Sequence, residues 1–120
     1  MTKHDNVSQG KIMKATEFVK WFGWNITKYN LKYHLNESEK LVYMDWILSV
    51  EDVDELKRLV ESHELVERCG GLNSLKAWVK ETKSKLSLAT YFHCNKPLVL
   101  IQIEKAEQAI ADVEACHEVN

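Results

Sequence analysis

The stretch that decides the fold is SVEDVDELKRLVESHELVERCGGL, residues 49–72. Its apolar residues recur at intervals of three and four, the spacing that places them on one face of an α-helix. Ser49 stands three residues before Asp52, an arrangement typical of a helix N-terminus, and acidic residues fill the first turn, where the helix dipole favours them. Gly70 and Gly71 predict a Schellman-type ending, because glycine adopts the left-handed conformation without steric cost. The stretch therefore predicts one well-bounded helix.

Two further helices are predicted after this one. Asn73 or Ser74 is expected to cap a shorter helix that fades within the lysine-rich residues 80–85, and residues 86–95 are expected to form a connection. Pro97 suits the first turn of a last helix, because the missing N–H of proline costs nothing there. The predicted buried stripe of this last helix consists of Leu98, Val99, Ile103, Ala106, Ile110 and Val113.

Two short helices are predicted near the start of the chain. Residues 16–22 and residues 25–35 both show helical spacing, and Gly23 between them is expected to end the first helix in a left-handed conformation. The predicted apolar stripe of the second helix consists of Ile26, Tyr29, Leu31, Tyr33 and Leu35.

Residues 41–48 carry two competing patterns. Asn36, followed three residues later by Glu39, resembles a capping box and favours a helix. The alternation of Val42, Met44, Trp46 and Leu48 is the period of a strand. On the strength of the cap, the sequence favours the helix.

The caps and breaks together predict a mainly α protein. We expect an irregular bundle of about five or six helices, with room for one short strand or hairpin near Tyr43 or Tyr91. Residues 1–12 are polar and without periodicity, which predicts a flexible N-terminal arm. Residues 13–120 are then expected to form a single helical domain, which at this length can bury an ordinary core.

Composition excludes several classes of protein. The 120 residues hold 16 basic and 18 acidic side chains, so the net charge of −2 offers no global reason to bind nucleic acid or a membrane. No apolar run approaches the roughly 18 residues of a membrane span, and the first 25 residues lack a signal-peptide core. Three cysteines form no disulfide-framework spacing. We therefore expect a cytoplasmic protein with reduced thiols, no cofactor and no membrane partner.

Three stretches resemble one group of proteins. Residues 53–67, VDELKRLVESHELVE, with residues 70–72, GGL, are similar to small accessory open reading frames of lambdoid-type enterobacterial phages and prophages. Residues 106–115, AEQAIADVEA, resemble the same group, as do residues 13–19, MKATEFV, with residues 22–24, FGW. The resemblance implies a non-essential phage gene product that acts in the bacterial cytoplasm. It implies no catalytic residues.

The sequence shows no set of residues typical of a catalytic site. It offers one candidate metal site, and the distance between its ligands argues against it. His93-Cys94 and Cys116-His117 are nitrogen–sulfur pairs of the kind that zinc accepts. If one helix runs between the pairs, its ends lie about 28 Å apart at roughly 1.5 Å per residue, too far to share an ion within one chain. No residue is therefore assigned as catalytic or metal-binding, and ordinary packed or surface side chains are the simpler interpretation.

Charge is unevenly distributed along the chain. Residues 1–35 carry a net charge of +4, whereas residues 36–120 carry −6. The basic part interleaves its lysines with aromatic residues, a composition that suits either a buried aromatic core with solvated lysines or a binding surface. The candidate partner-binding residues are Lys20, Trp21, Trp24, Lys28, Tyr29 and Lys32.

Three functional hypotheses follow. The first is a non-enzymatic interaction protein that binds a host or phage protein, with a role in host takeover or against host defence; it requires that Trp21 and Trp24 are not both buried. The second is a small nucleic-acid-binding protein that uses the basic, aromatic helices. The third, a metal- or thiol-dependent enzyme, requires bound zinc or a reactive Cys94. Self-association through the last helix is compatible with each of them.

Overall fold

The computed structural model describes residues 11–88 and 96–117. Within these ranges the protein is mainly helical, as predicted, with four helices rather than five or six and one small three-stranded sheet. In chain order the elements are β1 (Lys11–Ile12), α1 (Ala15–Tyr33), β2 (Leu41–Tyr43), β3 (Trp46–Leu48), α2 (Val50–Arg68), α3 (Leu72–Leu88) and α4 (Lys96–Ala115).

The chain divides into two compact units. The N-terminal unit contains the described residues up to Val60 together with Cys116 and His117, and the C-terminal unit runs from Glu61 to Ala115. Helix α2 begins in the first unit and ends in the second. Most of the predicted arm lies outside the described residues, and its last two residues, Lys11 and Ile12, form β1. The single domain predicted for residues 13–120 stays a prediction.

Helix α1 contains the predicted break without ending there. Gly23 has φ 87° and ψ 169°, a combination that only glycine adopts readily, so it interrupts the helical geometry between two helical segments. At the start of the helix the Glu17 carboxylate accepts a 3.0 Å hydrogen bond from the N–H of Lys14, which satisfies one of the free donors of the first turn. The two predicted helices are thus one kinked element.

The helix favoured for residues 41–48 is wrong, because this segment is a β-hairpin. β2 and β3 pair antiparallel, with Leu41 opposite Leu48, and β1 pairs parallel with the other edge of β3. The capping signal at Asn36 has a different role: its side-chain oxygen accepts the N–H groups of Ser38 and Lys40 at 2.9 and 3.0 Å, which closes a turn instead of starting a helix.

Helix α2 has both predicted ends. The Ser49 hydroxyl accepts the N–H of Asp52 at 3.2 Å and so caps the first turn. At the other end the N–H of Gly71 bonds the carbonyl of Val66 at 2.9 Å, and the N–H of Gly70 bonds that of Glu67 at 3.1 Å. This pair of bonds is the Schellman motif.

The core of the N-terminal unit lies between α1, the sheet and the first half of α2. Phe18, Leu41, Leu48, Val53 and Leu56 are fully buried there, and the ring of Tyr43 packs edge-on against that of Phe18. The inward-facing residues of the hairpin therefore belong to this core, which explains why residues 41–48 form strands despite the cap-like signal before them.

Helices α3 and α4 form an antiparallel pair in the C-terminal unit. Lys76 pairs with Glu114 and Lys83 pairs with Glu107, so the two helices run in opposite directions. Helix α3 starts directly after Gly71 instead of at the predicted Asn73 or Ser74 cap, and it continues through the lysine-rich residues to Leu88.

The predicted stripe of α4 is correct over most of its length. Ile103, Ala106 and Val113 are buried, and Ala109 joins them. Leu98, however, is 50% exposed, and Leu100 and Ile101 in the same turns are exposed as well.

Candidate functional site

The second half of α1 turns polar residues inward and aromatic residues outward. Thr27 and Asn30 are buried, and each satisfies its side chain within the helix: the Thr27 hydroxyl donates to the carbonyl of Gly23 at 2.8 Å, and the Asn30 amide donates to that of Ile26 at 2.9 Å. Such back-bonding allows polar side chains to be buried without a tertiary partner. The predicted apolar stripe is therefore wrong for three of its residues, which lie on the surface: Ile26, Tyr29 and Tyr33.

Ile26 and Tyr29 belong to one wall of a groove against the tip of the hairpin. The groove has a volume of about 470 Å³ and lies wholly within the N-terminal unit. We call it the aromatic groove and define it by its lining residues, which are Asn25, Ile26, Tyr29, Asn30, His34, Val42, Tyr43 and Met44.

The aromatic rings at the groove support one another. The ring of Tyr29 lies 4.9 Å from that of Tyr33 and 5.3 Å from that of His34, measured between centroids. Tyr29 nevertheless remains 57% exposed, and Met44 on the opposite wall is 74% exposed. These tilted ring contacts hold large rings in place at the surface, so a partner that covers them loses little side-chain entropy.

Lysines without ion-pair partners flank this face. Helical spacing places Lys28 and Lys32 one turn apart beside Tyr29. In the described part of the chain no carboxylate pairs with Lys20, Lys28 or Lys32, and the Lys32 ammonium lies 5.4 Å from the centroid of the Tyr33 ring. The lysines of α3 differ, because most of them are paired with glutamates. Positive charge without a described carboxylate partner therefore lies on the same helical segment as the groove residue Tyr29.

The two predicted tryptophans lie apart from the aromatic groove. Trp21 is 69% exposed, and its ring lies 6.2 Å from that of Trp46, which the Lys11 ammonium approaches at 5.4 Å. Trp24 is partly buried against the core of the N-terminal unit. The first hypothesis requires that Trp21 and Trp24 are not both buried, and the exposure of Trp21 meets this requirement.

Of the six candidate residues, the structure brings three together. Tyr29 lines the aromatic groove, with Lys28 and Lys32 beside it on the same helical segment, whereas Trp24 belongs to the core. Sequence reasoning missed the opposite wall, formed by Val42 and Met44. The alternating pattern of residues 41–48 carried the necessary signal, since a hairpin there exposes every second side chain.

The described residues supply no metal centre. Within 11–88 and 96–117, no three histidine, cysteine or acidic side chains lie close enough together to hold an ion. His93 and Cys94 lie outside the described residues. Of the other two cysteines, Cys69 is exposed and Cys116 is buried.

No protein-family model, curated protein or solved structure was found to match this chain. Among the helices that the structure describes, none combines the length and apolar character needed to cross a membrane.

Proposed function

We propose that this chain is a non-enzymatic accessory protein of phage or prophage origin that binds another protein through the aromatic groove in the bacterial cytoplasm. The observation that carries the proposal is the groove itself, which is lined by the largely exposed side chains of Tyr29 and Met44. Lys28 and Lys32, which no described carboxylate pairs, lie on the same helical segment as Tyr29. Large exposed aromatic and methionine side chains around a concave surface are typical of protein interfaces.

The chemistry of the groove favours a partner segment that is both apolar and acidic. The floor of the groove accepts apolar side chains, and Lys28 and Lys32 offer two ammonium groups to carboxylates of the partner. Such rim charges act mainly on the rate of association and on the choice of partner, while the buried anchors supply most of the affinity.

Affinity capture from infected or lysogenic cells tests this proposal when it is combined with groove variants. We expect a captured protein that survives nuclease treatment, is lost with Tyr29→Ala and is reduced with the pair Lys28→Glu and Lys32→Glu. The matched controls are Leu100→Ala and Lys80→Glu, which change an exposed apolar residue and an unpaired lysine of the C-terminal unit. Equal capture by groove and control variants would contradict the proposal.

Nucleic acid is the second candidate partner. The specific observation that favours it is the alternation of Lys28 and Lys32 with the exposed rings of Tyr29 and Tyr33, since bases stack on aromatic faces beside cations. Fluorescence anisotropy of a labelled single-stranded oligonucleotide tests it. Binding must weaken steeply as salt rises, because lysine contacts to phosphate release counterions. The absence of binding at low salt excludes this candidate.

Self-association through α4 stays a proposal as well. Three apolar side chains near the start of this helix are exposed: Leu98, Leu100 and Ile101. Covering them in a second copy would remove apolar surface from water. Sedimentation equilibrium of the full chain and of Ile101→Glu tests the proposal, which predicts a dimer that the charged variant dissociates.

A further inference from the structure

A second cavity lies within the C-terminal unit and shares no lining residue with the aromatic groove. Its volume is about 470 Å³, within the range of small-molecule sites, and it is lined by residues at the end of α2, near the start of α3 and in the middle of α4. We call it the C-terminal cavity.

The walls of the C-terminal cavity are apolar. Leu75 and Ala106 are almost completely buried behind it, and Leu65 is partly buried. The indole of Trp78 also lines the cavity and is 39% exposed, so a large aromatic face borders open volume. The apolar part of a ligand that fits the cavity would cover this face of the indole. Binding would then gain the free energy of removing the indole surface from water.

One side of the C-terminal cavity is polar and positively charged. Gln102 and Lys105 both line it, three residues apart on the same face of α4. Lys105 has no carboxylate partner among the described residues, in contrast to Lys76 and Lys83 of the same unit. An amide N–H and an ammonium group side by side are the donors that a carboxylate accepts, and no acidic side chain lines the cavity.

We propose that the C-terminal cavity binds a small anionic amphiphile of the medium-chain carboxylate class. The apolar tail lies against Trp78 and Leu75, and the carboxylate meets the Lys105 ammonium and the Gln102 amide. A cationic ligand of the same shape lacks a counter-charge there and instead meets the Lys105 ammonium. The proposal is independent of the function assigned to the aromatic groove.

Calorimetric titration of the full chain with decanoate, below its micelle concentration, tests the proposal. We expect one site per chain and several-fold weaker binding of decyltrimethylammonium, which has an alkyl tail one carbon longer and the opposite charge. Lys105→Gln should raise the Kd for decanoate about two- to fivefold, the usual worth of a partly exposed ion pair. The matched control is Lys80→Gln, another exposed, unpaired lysine of the same unit, which should leave the Kd unchanged.

Two further measurements locate the bound ligand. Decanoate should slow the alkylation of Cys69, an exposed thiol that lines the cavity, as read from the mass of its peptide. It should also change the tryptophan fluorescence of the native chain but not that of Trp78→Phe. Cys69→Phe should fill the cavity with an aromatic ring and abolish binding. Because Cys69 is exposed, we expect the variant to fold, and circular dichroism verifies this.

Four results would overturn the proposal. The first is the absence of decanoate binding. The second is equal affinity for decanoate and decyltrimethylammonium, which indicates unspecific adsorption to apolar surface. The third is a Kd that Lys105→Gln and Lys80→Gln leave equally unchanged. The fourth is a dimer, seen by sedimentation, in which Cys69 is already protected without decanoate, since a second copy then occupies the cavity.

Discussion

The Ser62 hydroxyl donates a 2.6 Å hydrogen bond to the buried carboxylate of Asp112, fifty positions further along the chain. The bond joins α2 to α4 inside the C-terminal unit, and the Gln108 amide donates to the other carboxylate oxygen at 2.9 Å. A buried carboxylate is costly unless its oxygens are hydrogen-bonded, so these contacts favour the one packing of the helices in which they form.

Removing the Ser62 hydroxyl should therefore destabilise the protein. We expect Ser62→Ala to lower the free energy of unfolding by about 1–3 kcal/mol, because the Asp112 carboxylate remains buried and loses a donor. Urea denaturation followed by circular dichroism measures the change. Ser84→Ala, an exposed serine on α3, serves as the control and should stay within about 0.5 kcal/mol of the native chain. Equal values for the two variants would contradict the assigned bond.

Gly23 should not tolerate a side chain. Its φ of 87° and ψ of 169° lie in a region almost restricted to glycine, and a Cβ there meets nothing within 4 Å, so the cost of alanine is conformational and not steric. We expect Gly23→Ala to lower the free energy of unfolding by about 1–3 kcal/mol in urea denaturation. Asn25→Ala, an exposed position in the helical segment after the kink, is the control. A stabilised Gly23→Ala would mean that α1 is a continuous helix, since alanine is the better helix former.

One substitution at Met44 distinguishes the hairpin from a helix over residues 41–48, because the two structures predict opposite changes in stability. Met44 has φ 54°, a left-handed conformation that costs a non-glycine residue roughly 1–2 kcal/mol. We expect Met44→Gly to raise the thermal stability, because glycine relieves this strain. In a helix over residues 41–48 the same substitution would instead cost about 1 kcal/mol.

The neighbouring turn residue supplies the control for this test. Asp45 does not have a positive φ, so Asp45→Gly relieves no strain and should lower the melting temperature. A decrease for both Met44→Gly and Asp45→Gly would contradict the hairpin geometry.

Alanine substitutions at Phe18 and Tyr29, which both lie on α1, should differ in their cost in stability, because Phe18 lies in the core and Tyr29 at the surface. Phe18 is fully buried, so Phe18→Ala should cost about 3–5 kcal/mol of unfolding free energy. Tyr29 is largely exposed, and Tyr29→Ala should cost under about 1.5 kcal/mol, chiefly through its lost ring contacts with Tyr33 and His34. Urea denaturation of both variants is the measurement. Comparable losses would mean that Tyr29 belongs to the core and is not available to a partner.

Some features of this protein depend on neighbouring residues alone, and the sequence by itself determined them. The Ser49 cap and the Gly70–Gly71 ending are made of hydrogen bonds that span at most five residues, so their sequence signatures were sufficient to predict both ends of α2. The break at Gly23 was likewise predictable, because glycine is the residue that a positive φ selects.

The features that carry the candidate site required the tertiary structure. Residues 41–48 form strands because Leu41 and Leu48 complete a core with α1 and α2 and because β1 supplies a second pairing edge. Of these partners, α1 and β1 are distant in sequence from the hairpin. The helical spacing of residues 25–35 also predicted the wrong inward residues, because spacing alone does not show which face of a helix meets the core. Thr27 and Asn30 face inward in place of the aromatics, and the aromatic groove exists for that reason.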